Sequence, residues 1–144
     1  MDAQEIFDTV AEHLFTQGKQ AVSDKGCAYR GRDNTTCAVG CLIKDSEYLP
    51  AMDDGRALAK IRGFSAEHLS GTGVASLIDA GVLPARLVPH RVLLSFLQNV
   101  HDGCLMTADD KFNRADLADR LFHAARFFDL NSEVVIKHHQ TVAG

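Results

Sequence analysis

Three of the four cysteines fall in one stretch, Gly26 to Ile43, which reads GCAYRGRDNTTCAVGCLI. Thiolates are nucleophiles and soft metal ligands, and guanidiniums grip phosphate or carboxylate in two-pronged fashion. One chemistry these residue types allow is nucleophilic catalysis. If Thr35 or Thr36 caps a helix starting near Cys37, the helix dipole would stabilise the Cys37 thiolate, and His101 with Asp102 could supply a base and its orienter. Cys37, His101 and Asp102 are therefore the candidate catalytic set of a cysteine-dependent hydrolase or transferase. Against this set, adjacent residues on a helix do not face each other, so Asp102 is poorly placed to orient His101. A His-Asp pair ending an apolar helix equally reads as a C-terminal cap.

The same stretch allows two binding chemistries. Cys27, Cys37 and Cys41 offer thiolates that, with a histidine such as His101, would make a small zinc-stabilised module. The spacing is a single Cys-x₃-Cys pair with a distant partner, unlike the closely spaced pairs of structural zinc sites, and apolar neighbours make buried free thiols the competing reading. Tyr29, Arg30 and Arg32 surround a Gly31 turn and are the candidate contacts for a small anionic ligand. The competing reading pairs Arg30 with an acid such as Asp45 or Asp102. Gly71-Thr72-Gly73 could offer backbone N–H groups to a phosphate, but a lone Gly-x-Gly is weak evidence, and neither a Walker loop nor a dinucleotide fingerprint is present.

These residues must be held by helices. From Ala3 to Val22 the apolar residues Ile6, Phe7, Val10, Ala11, Leu14 and Phe15 recur at helical spacing, with Ser23-Asp24-Lys25-Gly26 as the stop. Small residues Ala38 and Gly40 favour a helix over a strand for Cys37 to Ile43. Lys44 to Gly63 reads as a connector with one short helix, and Val74 to Ala80 as a short buried helix closed by Gly81. Pro89 suits a first helical position, after which Val92, Leu93, Phe96, Leu97 and Val100 mark a buried stripe up to Gly103. Asn113 caps the next helix, which carries Leu117, Leu121, Ala124, Ala125 and Phe128 inward, and Ser132 caps a final one. The paired Phe127 and Phe128 read as core. The expectation is a mainly α fold: residues 1–144 as one compact domain of five or six helices, with a small two-stranded β element near residues 27–36.

Composition narrows the partners. A formal charge of −4 and the presence of 15 Lys and Arg against 19 Asp and Glu give no basic field, so nucleic acid is disfavoured. The N-terminus carries acids where an export signal would be basic, and no apolar run approaches a membrane span, so a cytoplasmic protein with reduced thiols is expected and no membrane association.

Cys27-Ala-Tyr-Arg-Gly31, then Cys37-Ala-Val-Gly-Cys-Leu-Ile43, then Leu97-Gln-Asn-Val-His-Asp102 resembles a group of uncharacterised small helical proteins of phages and bacterial genomes. The resemblance carries no catalytic assignment. It implies that Tyr29, Arg30, Gly31, Cys37, Gly40, His101 and Asp102 belong together, with the 27–32 loop docked on the end of the 89–102 helix. The function expected first is that of a non-enzymatic accessory protein, phage-related, binding a host protein or a small anionic ligand without a cofactor. Self-association is open, because an apolar helix face can be covered by a second copy.

Overall fold

The computed structural model describes residues 1–65 and 67–143. It is mainly helical, with a small antiparallel hairpin and helices packed around one core. Helix α1 spans Ala3–Gln17 and opens with a capping box: the Asp2 carboxylate accepts the Glu5 N–H while the Glu5 side chain returns to the Asp2 N–H. It stops earlier than its apolar pattern suggests. Gly18 turns left-handed at φ 73°, a conformation open to glycine, and sends its N–H back to Leu14 O. The chain then leaves in extended form, so Ala21 and Val22 are not helical.

Strands β1, Val22–Ser23, and β2, Gly26–Cys27, pair Val22 with Cys27 and Ser23 with Gly26. The expected small two-stranded element is present, with its second strand entering residues 27–36 at Cys27 and an isolated Arg30–Thr36 bridge following. The expected helix over Cys37 to Ile43 is corrected: the segment is a turn followed by one 3₁₀ turn, Gly40–Leu42. The Cys41 N–H closes one helical turn on Cys37 O, after which the Leu42 and Ile43 N–H groups tighten onto Val39 O and Gly40 O, and Arg86 and Arg30 take the Leu42 and Ile43 carbonyls, so the ladder stops after one turn. Gly40 lies against the Tyr29 carbonyl, where a Cβ would overlap the oxygen.

Helix α2, Gly55–Ile61, is capped by the Asp54 carboxylate, and the short α3 covers Val74–Asp79. A 3₁₀ turn over Val88–His90 contains Pro89 and leads into α4, Arg91–Gly103. Asn113 caps α5, Arg114–Phe127, as expected, its side chain accepting the Asp116 N–H. Before α6, Glu133–Ala143, it is the Asn131 side chain that accepts the Glu133 N–H, while Ser132, expected to cap, accepts the Ile136 N–H through its carbonyl.

Helix α1 is the spine. Ile6, Phe7, Val10 and Leu14 are fully buried against α4, α5 and α6, and burial of each such side chain is worth about 1.5–3 kcal/mol. Among the described residues, no helix is long and apolar enough to cross a membrane.

Candidate functional site

His101, in the last turn of α4, is fully buried, and both of its ring nitrogens are used. Its Nε2 accepts the Ala21 N–H at 2.9 Å, and its Nδ1–H donates to Asp102 Oδ1 at 2.7 Å. Because a backbone N–H can only donate, Nε2 carries no proton and the tautomer is set. The expectation that Asp102 is badly placed for His101 is therefore corrected: Nδ1 is the ring nitrogen nearer the main chain, and a short neighbouring carboxylate reaches it around the helix edge. Asp102 also accepts from Gln98, one turn earlier. Gln20 donates to the His101 and Asp102 carbonyls, which α4 leaves open at its end. The segment after Gly18 is thus clamped to the end of α4.

Cys27 lies beside this pair. Its potential ligand atom, one from His101 and one from Asp102 are mutually within 4.8 Å, the only such group among the described residues. Cys37 and Cys41 are not part of it, so the three cysteines considered as zinc ligands do not converge. The Cys27–His101–Asp102 group is also poorly suited to a metal. Ligation needs a free imidazole lone pair, but Nε2 has given its own to Ala21 and Nδ1 holds the proton. Partial burial of the sulfur and the adjacent Asp102 carboxylate push the Cys27 thiol up to about 11, although the residue as a whole is exposed.

Cys37 is sealed in the core. Its sulfur accepts the Gly40 N–H at 3.2 Å, yet burial dominates and pushes the thiol up to about 12. Without a helix N-terminus at Cys37, the dipole invoked for its activation is missing, and neither ring nitrogen of His101 is free to act as base. Burial pushes Cys41 up to about 12 as well, and its thiol donates to Ala38 O.

The Tyr29-Arg30-Gly31 turn is organised by an acid the sequence reading passed over. The Asp53 carboxylate accepts the Tyr29 N–H at 2.8 Å, the Arg30 N–H at 3.1 Å and the Tyr48 hydroxyl at 2.7 Å. Asp53-Asp54-Gly55 reads as an acidic turn, and nothing local shows that Asp54 caps α2 while Asp53 turns to the 29–30 loop. Tyr29 is buried, and its hydroxyl donates to Thr72 O at 2.6 Å. Arg30 donates to Asp45 and to Ile43 O and lies over the Tyr48 ring, 5.0 Å from its centre. It pairs with Asp45, not with Asp102. Arg32 pairs with Asp24. A cleft of about 130 Å³ remains between Cys27, Asp53, Thr72, Gln98 and Asp102, with no lysine or arginine in its lining.

No family model, curated protein or solved structure matches the chain. Its site is therefore assigned from its own geometry.

A second surface was not foreseen. Val92 and Phe127, both expected in the core, are each 64% exposed on neighbouring helices. Phe96 sits between them, its ring centre 5.4 Å from Phe127 and 5.8 Å from His123, and Phe128 meets it edge-on. A groove of about 440 Å³ continues along α4 and α5 past Asn99, Asp119 and Arg120. Helical periodicity signals an apolar face, but it does not show how much of that face neighbours will cover. Phe127 lies one residue off the Leu121, Ala124, Ala125 and Phe128 stripe, and that offset was the available signal.

Proposed function

We propose that this chain is a cytoplasmic, non-enzymatic accessory protein, phage-related as its motif resemblance implies, which works by docking a protein on the α4–α5 face. The observation that carries the proposal is the apolar surface built from the exposed Val92 and Phe127 with the half-buried Phe96 between them. Large apolar side chains gathered at the solvent surface mark contact sites, and aromatic residues dominate the energy of such contacts. Two further features support binding over catalysis. Both ring nitrogens of His101 are taken, by Ala21 and by Asp102, and Cys37 is enclosed with its thiol protonated. Of the two ligand classes expected, a protein is favoured over a small anion, because Arg30 and Arg32 are paired with Asp45 and Asp24 and the cleft at Tyr29 is lined by the carboxylates of Asp53 and Asp102.

Photo-crosslinking in cells tests this reading. A benzophenone amino acid at position 127 is expected to yield an adduct of discrete mass, whereas the same probe at Leu49, exposed elsewhere on the surface, yields none. Absence of a discrete adduct from position 127 refutes the proposal.

A further inference from the structure

The α5 face carries a charge pattern that identifies its occupant; this inference rests on the reading that the face docks a protein. Ala115, Asp119, His123, Arg126 and Phe127 are all exposed on α5, and they recur at the three- and four-residue steps that make one side of a helix. Asp119 and Arg126 share that side, about 10 Å apart along the axis at the usual helical rise. Neither side chain has a hydrogen bond or ion pair among the described residues, although the neighbouring Asp116 and Arg120 pair with each other. Between and beside the two open charges lie His123 and Phe127, with Phe96 and Val92 of α4 alongside.

We infer that the occupant is a second copy of this chain, docked about a two-fold axis that passes between Phe122 and His123. That point is the midpoint between Asp119 and Arg126. With the two α5 helices antiparallel across it, Asp119 of each copy meets Arg126 of the other, and both pairs form at once. Phe127 of each copy comes level with position 118 of the other, between the exposed Ala115 and Asp119, and the Phe96 and Val92 surfaces extend the apolar centre. A two-fold interface requires a patch complementary to itself, with opposite charges balanced about its middle. The open charges on this face satisfy that condition in the antiparallel arrangement, whereas a parallel one sets like charges against each other.

Sedimentation velocity on the full chain over about 1 to 200 µM, with native mass spectrometry, tests the inference. The wild-type chain is expected to be a dimer at the upper concentrations. Asp119→Arg alone and Arg126→Asp alone are each expected to weaken the dimer by about 10- to 100-fold, since each disrupts two symmetry-related pairs. The double variant Asp119→Arg/Arg126→Asp is expected to recover it, a result that misfolding cannot imitate. Asp109→Arg, exposed in the loop before α5, leaves the dimer unchanged. A wild-type monomer across the whole range overturns the inference, as does a double variant no tighter than the single ones. A monomer that still gives a heterologous adduct from position 127 removes the second copy as occupant and leaves the docking reading standing. A monomer with no adduct removes both.

Discussion

Replacing His101 with leucine isolates the contribution of the clamp between α4 and the segment after α1. Leucine fills most of the imidazole volume, so the cavity term is small and the loss is mainly polar. The buried Ala21 N–H, which donates at 2.9 Å, is left without an acceptor, a cost of about 1–3 kcal/mol. The bond to Asp102 is lost as well, but that side chain is 41% exposed, so water replaces much of it and its contribution is discounted to about 0.5–1 kcal/mol. The sum is about 2–4 kcal/mol, or about 6–14 °C in Tm for a chain of this size. His101→Gln keeps an acceptor within reach of Ala21 and is expected to recover about half. Asp102→Asn keeps an oxygen for both Gln98 and His101 and is expected to cost less than about 1 kcal/mol. Urea unfolding followed by circular dichroism, with an unchanged m value, gives these differences, and amide exchange at Ala21 locates them. A His101→Leu variant within about 0.5 kcal/mol of wild type would refute the reasoning. So would an Asp102→Asn variant weaker than it.

Three other outcomes follow from the same structure. Gly40→Ala drives a Cβ into the Tyr29 carbonyl and is expected to cost more than about 3 kcal/mol, whereas Gly63→Ala, in open space at φ 91°, costs about 1 kcal/mol from backbone strain alone; equal losses in urea unfolding would contradict the close approach. Hydrogen bonds from Arg86 and from the Lys44 N–H hold the Glu47 carboxyl down at about 2. Its folded value lies below the unfolded 4.5, so its contribution is present above 4.5 and is lost as pH falls toward 2; Arg86→Met is expected to flatten that part of the stability profile, and an unaltered acid limb would count against the pair. Alkylation of the folded chain at pH 8 is expected to label Cys27 first and to reach Cys37 and Cys104 only on unfolding, since burial protects both and pushes their thiols up to about 12; peptide mapping that finds Cys37 labelled at the Cys27 rate would reopen it as a nucleophile.

Helices α1, α4 and α5 were legible because each carries three or more apolar residues on one face, and Asn113 could be read as a cap because its side chain acts within one turn. Cys37 to Ile43 was misread for the opposite reason. It makes one helical turn and then stops where Arg86 and Arg30, distant in sequence, take the Leu42 and Ile43 carbonyls that a longer helix would use. Asp53 was invisible on the same grounds, since its three donors come from the 29–30 loop and Tyr48. Local physics is written in short spacings, and long-range hydrogen bonding is not.

The polar residues that drew attention in the sequence are largely those the fold consumes. Cys27, His101 and Asp102 do converge, and Cys37 and Gly40 do pack under Tyr29, but Arg30 turns away to Asp45. A buried imidazole with both nitrogens satisfied fixes the chain path uniquely, because any slip of the Ala21 segment leaves a donor and an acceptor unpaired in the interior. The same saturation removes it from chemistry. Side chains left uncovered lie elsewhere: Phe127 and Val92, exposed beside the half-buried Phe96, and Asp119 and Arg126 on either side of His123, without a side-chain partner among the described residues. On the proposed reading the satisfied polar groups serve folding and the uncovered apolar and charged ones serve recognition, and the charge-swap pair at 119 and 126 tests the second half of that division directly.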